Sequence, residues 1–481
     1  MRVIFLNPPF EFKISKESRW PEYTKSGTLY YPYWLAYAAG LMMKKSEHEV
    51  LLLDAIAKGW DFNKTIQKIE AFKPDLVVIE TTTPTFNNDL RFIKFLKERF
   101  KCKICLTGTH VSTLPEDSFK SSNEIDFIAR REYDYTILDL ASTLEKNGNL
   151  KNVLGISYKR GKKIIHNPNR PLIQDLDSLP FVSKVYKKFL NIYDYRYALA
   201  RYPMIQIWSS RGCPNMCTFC LYPQVFSGRI FRARSPKNFV AELEWIKENL
   251  PQVKEIFIED DTFTVDKKRV LEICKLIKEK NLDVVWSANA RADIPYDVLK
   301  EMKKAGCRML IIGYESGNQQ ILNNIKKGVL ISRAIKFTSD AKKLGIKIFG
   351  CFMLGLPGET KETIKQTFNF AKKINPDMAF FQQAVPFPGT EFYDWVKTKG
   401  YLIAKNWNDW LDESGRLNFI VSYPELTTED IKNMREELTI KFYSSPKWIA
   451  QAVLHNLHPD EMIRIATTAK NYLKFLLLER K

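Results

Sequence analysis

The segment "RGCPNMCTFC" sets Cys213, Cys217 and Cys220 close together in a chain that has eight cysteines in 481 residues. Thiolates are soft metal ligands, and their number and spacing narrow the choice of metal. A structural zinc ion takes four ligands, commonly as two close pairs with a longer spacer. Here the pattern is C-x3-C-x2-C, and the next cysteine, Cys274, lies far along the chain in a stretch of helical periodicity. Iron-sulfur clusters are also held by thiolates, normally four. A cubane cluster held by three leaves one iron open to a substrate or cofactor, so the missing fourth ligand is itself informative. Cys102 and Cys105 form a C-x2-C on an expected strand, where that spacing sends the thiols to opposite faces and a shared metal is not expected.

The elements around the triad define its place. From residue 204 the chain alternates strand-like runs ("MIQIWSS", "EIFIED", "DVVWSAN", "MLIIGYES", "IKIFGCFMLG", "MAFFQQAV") with helical stretches such as "SPKNFVAELEWIKENL" and "DKKRVLEICKLIKEK". Six strand-helix units describe a parallel (β/α)6 barrel, closed or partial, whose reactive groups belong at the C-terminal strand ends, and the three cysteines follow its first strand. Residues 1–140 show the same alternation and predict a Rossmann-like doubly wound parallel sheet. Residues 141–203 read as a linker containing a hairpin, "NVLGISYKRGKKIIHNP". The expected α/β organisation is thus 1–140, a linker over 141–203, a barrel over 204–400 and a helical region over 401–481.

Lys and Arg outnumber Asp and Glu by 74 to 55, a net charge of +19. The excess is spread along the chain without a block of like charge, which argues against a nucleic-acid tail. No run approaches the roughly 18 apolar residues of a membrane span, and "MRVIFLNPPF" lacks the marks of a secretory signal. The expected location is the cytoplasm, with reduced thiols. Two stretches, 183–204 and 448–481, interleave basic with aromatic or apolar residues, which suits either a peripheral position on the inner face of a membrane or helices that cover the barrel's open side.

C-x3-C-x2-C after the first strand of a six-unit barrel resembles the radical S-adenosylmethionine (SAM) superfamily. The resemblance implies a 4Fe-4S cluster on Cys213, Cys217 and Cys220, SAM bound to the open iron, and reductive cleavage of SAM to methionine and a 5′-deoxyadenosyl radical. It also implies a reductant, such as a ferredoxin or flavodoxin. Further stretches match its SAM-binding elements in barrel order. Phe219 resembles the residue whose backbone meets adenine. Glu259, Asp260 and Asp261 of "IEDDTFT" suit SAM's ammonium and ribose hydroxyls, or are helix N-terminal charges. Asn289 and Arg291 of "WSANAR" suit a carboxylate, Glu315 of "GYESGNQQIL" the ribose or sulfonium region, and Gly355 and Gly358 of "FMLGLPGET" close backbone approach to adenine.

The N-terminal part resembles the cobalamin-binding domain of one branch of that superfamily, through "FLNPP", "TGTHVSTLPE" and "IDFIARREYDYTILDLA". It departs in having no D-x-H-x-x-G. His110 is the sole histidine at a strand end there, and Arg130, Arg131, Glu132 and Tyr133 stand where Gly-Glu-Gly is usual. Cobalamin is therefore left open. A narrower resemblance, over residues 1–400, is to the radical SAM enzymes of hopanoid tail biosynthesis and to archaeal calditol synthases, carried by "YYPYWLAYAAGL", "GYESGNQQILNNIKKG" and "LGLPGETKETI". It implies contraction of a sugar ring to a cyclopentane polyol on a glycosylated membrane lipid. Cys351, Tyr222 and Tyr314 are the candidate donors of the hydrogen that quenches the final radical. The rival readings are a cobalamin-dependent radical SAM C-methyltransferase, carbon-carbon coupling of lipid chains, and a cluster-bearing electron-transfer protein.

Overall fold

The computed structural model describes residues 1–455 and 458–478, so positions 456–457 and 479–481 of the expected C-terminal helices lie outside the described residues. The apolar runs at the start of the chain become one sheet. β1 (Arg2–Asn7), β2 (Glu49–Asp54), β3 (Leu76–Glu80), β4 (Lys103–Thr107) and β5 (Phe127–Ala129) pair in parallel in the order β2-β1-β3-β4-β5. Successive side chains face opposite sides, so Val3 and Phe5 enter one core while Ile4 and Leu6 enter another. A sheet covered on both faces needs such unbroken hydrophobic strands. The same pleat separates Cys105 from Cys102, which are buried in different cores. The hairpin of the connector, β6 (Ile156–Arg160) and β7 (Lys163–His166), extends this sheet in antiparallel fashion beyond β5.

The helix Tyr33–Lys45 is buried from Tyr33 to Met42 because both lobes pack on it. Trp34 lies 4.6 Å from the ring of Trp208 and 4.8 Å from that of Phe226, both in the second lobe. That lobe begins with β8 (Met204–Ile207), followed by a two-residue antiparallel ribbon of β9 (Ser210–Arg211) and β10 (Arg232–Ala233). β11 (Glu255–Ile258), β12 (Trp286–Ala290), β13 (Cys307–Glu315), β14 (Lys347–Leu354) and β15 (Met378–Gln383) then join β8 in a parallel sheet in strict chain order. β8 and β15 are its two edges, so the barrel is partial.

Helices Thr428–Tyr443, Pro446–His455 and Pro459–Leu478 complete the chain. The last is anchored by Glu461, which lies 3.0 Å from Arg308, 3.0 Å from Lys347 and 3.1 Å from Arg464. Arg308 and Lys347 stand at the starts of β13 and β14, so this helix covers the N-terminal end of the barrel. The stretch 183–204 corrects an expectation: Tyr186 and Tyr195 are buried, with ring centroids 4.3 and 4.0 Å from that of Tyr31. These two rings serve the core, while Tyr193 and Tyr202 of the same stretch are exposed. Among the described residues, no helix is long and apolar enough to cross a membrane.

Candidate active site

The cysteine loop leaves the barrel after β8 and returns through β10, so the small ribbon closes its base. Gly212 opens the loop at φ +83°, and a Cβ there would stand 2.2 Å from the carbonyl oxygen of Ile230. Only glycine fits that approach. Cys213 N–H donates to the Gly228 carbonyl at 3.2 Å, and the Gln224 amide donates to the carbonyls of Thr218 (3.1 Å) and Cys220 (2.8 Å). In the ribbon, Arg211 and Arg232 are direct cross-strand partners. Like charges in that position repel, and two acids from the other lobe offset them. Asp134 takes Arg211 in a fork at 2.8 and 3.1 Å, and Glu132 takes Arg232 at 2.8 and 2.7 Å. All four residues are buried. The stretch "RREYD", which stands where Gly-Glu-Gly is usual, supplies Glu132 and Asp134 to clamp the cysteine loop, a role visible only once Arg211 and Arg232 are known to be paired.

The three thiols are close enough to feel one another. Burial pushes the Cys220 thiol up, and Cys217, Asp261 and Cys213 add to the effect. The Cys213 sulfur accepts from the Asn215 amide at 3.2 Å, the kind of hydrogen bond that tunes a metal-bound thiolate. Among the described residues, no three His, Cys, Asp or Glu side chains converge tightly enough to hold a single metal ion. Three soft donors on one loop, without a fourth, fit an iron-sulfur cluster with one open iron.

Around the same mouth stand most of the residues singled out from sequence. Glu259 and Asp261 share Arg19, whose guanidinium lies 2.6 Å from the one and 3.0 Å from the other. Burial raises the Glu259 carboxyl to about 7 even with Arg19 pulling it down. Asp260, between them, points the other way: the N–H and hydroxyl groups of Ser209 and Ser210 all donate to it, at 2.5 to 3.1 Å. Asp260 is thus turned away from the other two acids and tethers the end of the first barrel strand. Glu315 is held at φ +64°, rare for a residue with a side chain, and lies 2.7 Å from the buried Lys327 ammonium. Burial lowers Lys327 while Glu315 and Cys217 beside it raise it, and the balance favours the charged ammonium. Arg291 donates to the Lys327 carbonyl at 2.5 Å, and Asn289 donates to the Asp260 carbonyl at 3.3 Å.

Phe219 packs in the same hydrophobic cluster as Met353 and Leu356 at the end of β14. Beyond it, Gly355 and Gly358 take φ +87° and +83°, and Glu359 accepts from the N–H groups of Gly355 and Leu356 at 2.6 and 3.0 Å. Cys351 is half-buried on β14 and lies near Glu315 and Lys327, while burial pushes its thiol up. The structure does not bring Tyr314 into this group, because its hydroxyl is 2.5 Å from Thr338 on an outer helix and its ring packs on Phe352 and Phe370. Tyr222 is buried between the lobes, its hydroxyl donating to the Glu17 carbonyl.

The N-terminal sheet has its own crevice. A cavity of about 890 Å³ opens beyond the C-terminal ends of β1, β2 and β3, lined by Phe10, Trp60, Phe62, Asn63, Asn87 and Asn88 among others. Doubly wound sheets bind ligands at the carboxyl ends of their strands where the order reverses, here between β1 and β3. Aromatic walls with several side-chain amides fit a large, flat, amide-fringed ligand such as a corrin. Among the described residues, no histidine lines the cavity. His110 is nearby but enclosed: its Nδ1 is 3.1 Å from the Thr83 hydroxyl, its Nε2 has no partner, and burial lowers it to about 3, which keeps it neutral.

Two α/β lobes facing each other, one with a crevice at its switch point and the other with a three-thiol loop at a barrel mouth, define an enzyme built to hold two large redox groups. Comparison with known proteins agrees. Residues 209–371 match the radical SAM superfamily and residues 23–141 a B12 binding domain. An uncharacterized methyltransferase of Pyrococcus horikoshii is 31% identical over 95% of both chains. The anaerobic magnesium-protoporphyrin IX monomethyl ester cyclase of Rubrivivax gelatinosus is 28% identical over 82% of this chain and 69% of its own. Among solved structures, the radical SAM methyltransferase TsrM of Kitasatospora setae, with cobalamin and a [4Fe-4S] cluster bound, superposes with a TM-score of 0.73 at 13% identity, covering 98% of this chain and 99% of that one. The chain belongs to the radical SAM superfamily, in the branch that carries a B12-binding domain ahead of the barrel. It is a radical SAM enzyme with a 4Fe-4S cluster and SAM as cofactors, and it carries a B12-binding domain. The narrower likeness to hopanoid and calditol enzymes is overturned, because the relative that matches from end to end is named a methyltransferase. Ring contraction of a lipid-linked sugar falls with it.

Proposed function

We propose that this chain is a cobalamin-dependent radical SAM methyltransferase acting on an unactivated carbon. The observation that carries the reading is the likeness to a methyltransferase along 95% of both chains, across both lobes. In this reading Cys213, Cys217 and Cys220 hold the cluster. Glu259 and Asp261 receive SAM's ammonium end, Asn289 and Arg291 its carboxylate, Glu315 its ribose, and Phe219 with the Gly355–Gly358 turn its adenine. The crevice beyond β1–β3 receives part of cobalamin without a histidine from its walls. The chemistry these groups supply is one-electron cleavage of SAM and carriage of a methyl group. The protein's own part is to hold the thiol loop at the barrel mouth and to exclude water between the lobes through packed aromatics such as Trp34, Trp208 and Phe226. Quenching of a ring-closed radical is no longer required, so the hydrogen-donor roles of Cys351, Tyr222 and Tyr314 lapse. The electron donor is taken to be a ferredoxin or flavodoxin, which the net charge of +19 would attract.

The reading is tested by anaerobic reconstitution with iron, sulfide and hydroxocobalamin, followed by incubation with SAM, reductant and cell extract. The expected result is 5′-deoxyadenosine and S-adenosylhomocysteine together, with a product heavier than its precursor by one methylene. Turnover that releases 5′-deoxyadenosine alone, in enzyme free of cobalamin, would overturn it.

A further inference from the structure

The residues between β1 and the helix Tyr33–Lys45 cross from the N-terminal lobe to the barrel mouth, and we propose that Arg19 on this strap is a positioning residue for SAM, holding Glu259 and Asp261 in the orientation that receives it. The inference rests on the proposed role of those two carboxylates.

Its basis is geometric. Arg19 Nη1 lies 2.6 Å from Glu259 Oε1, and Nη2 lies 3.0 Å from Asp261 Oδ1 and 3.4 Å from the Glu259 carbonyl. One planar fork thus bridges two acids that the pleat places on the same side, a geometry that arginine satisfies and lysine does not. The guanidinium also lies 5.8 Å from the ring centroids of both Trp208 and Tyr222, within cation-π range. The remaining Glu259 oxygen has only a 3.4 Å contact, to the Gln206 amide, which leaves it able to accept from an incoming ammonium.

The strap is fixed on both sides of Arg19. Lys16 reaches both Asp89 oxygens at 2.7 Å and the Glu80 carbonyl at 3.0 Å in the N-terminal lobe. Glu17 accepts from the N–H groups of Trp34 (2.5 Å) and Leu35 (3.3 Å) at the start of the buried helix. Trp20 packs in the cluster that contains Phe219. Arg19 therefore enters the mouth on a segment held by the neighbouring lobe, and fixes two carboxylates that would otherwise repel each other. Without it the pair loses its compensating charge and Glu259 its firmest partner, while Asp261 stays tied through its other oxygen to the Gly212 N–H at 3.1 Å and the Ser227 hydroxyl at 2.9 Å.

The test uses the full-length reconstituted enzyme with Arg19→Gln and Arg19→Lys. Arg19→Gln should keep its iron and the electron paramagnetic resonance of the SAM-free reduced cluster. Its KM for SAM should rise about 10- to 100-fold with kcat changed little, the loss expected when a supporting partner of a binding group is removed. Arg19→Lys keeps the charge but not the fork and should fall between, at roughly a fivefold rise. An unchanged KM in Arg19→Gln, or equal loss of iron and activity in both variants, would reduce Arg19 to a structural ion pair and overturn the proposal. SAM affinity, read from the perturbation of the cluster spectrum, keeps the comparison meaningful even if the wild-type enzyme bound SAM without cleaving it; that result would defeat the functional reading instead.

Discussion

Cys217→Ala is expected to release no 5′-deoxyadenosine above background, a loss on the order of 10³-fold or more. Residues that act as one unit fail together, so removing one ligand should cost nearly as much as removing all three. Iron should fall well below the content of the wild-type chain, and the broad thiolate-to-iron absorption should disappear. Cys274→Ala is the control, because that thiol is buried within the helix Lys267–Glu279, away from the loop. Retention of iron and turnover by Cys217→Ala would remove the loop from the chemistry.

Glu132→Ala is expected to be the most damaging substitution outside the barrel. It leaves Arg232 buried beside Arg211 with Asp134 as the pair's remaining close acid. Breaking a buried pair strands a charge and costs about 3–5 kcal/mol, which a lowered urea midpoint would register. The cysteine loop should loosen at the same time, so the variant should also lose iron although Glu132 is not among the proposed ligands. A midpoint and iron content equal to wild type would show that the inter-lobe clamp carries neither function.

Much of the barrel was legible because each strand is a short apolar run followed by an amphipathic helix, and all six appear in the expected order. The thiol loop was legible because spacing alone distinguishes it. Facing was harder to read at the ends of strands. Glu259, Asp260 and Asp261 look alike in a row, yet only the first and third share a side. Tyr314 beside Glu315 is a similar case, its ring turned to the outer helices while its neighbour meets Lys327. The strap escaped notice altogether: "EFKISKESRW" has no period, and Arg19 acquires meaning from partners in the second lobe. The mixed basic and aromatic stretch at 183–204 misled for a related reason, since composition does not reveal that Tyr31 lies between two of its tyrosines.

The anchor of the last helix bears on the order in which the molecule is completed. Arg308 can meet Glu255 as soon as both have been synthesised, at 2.8 Å in the finished fold, but its contact with Glu461, at 3.0 Å, must wait for the last helix. At ribosomal speeds of about 5–20 residues per second, the N-terminal end of the barrel stays unsealed for seconds after the thiol loop at the other end has emerged. A nascent chain arrested at residue 450 should therefore be cut by protease near Arg308, and one extended past residue 478 should resist. Equal resistance in both would mean that the barrel closes without its final helix. If the difference is seen, birth of the metal loop and sealing of the barrel are separate moments in the life of the chain.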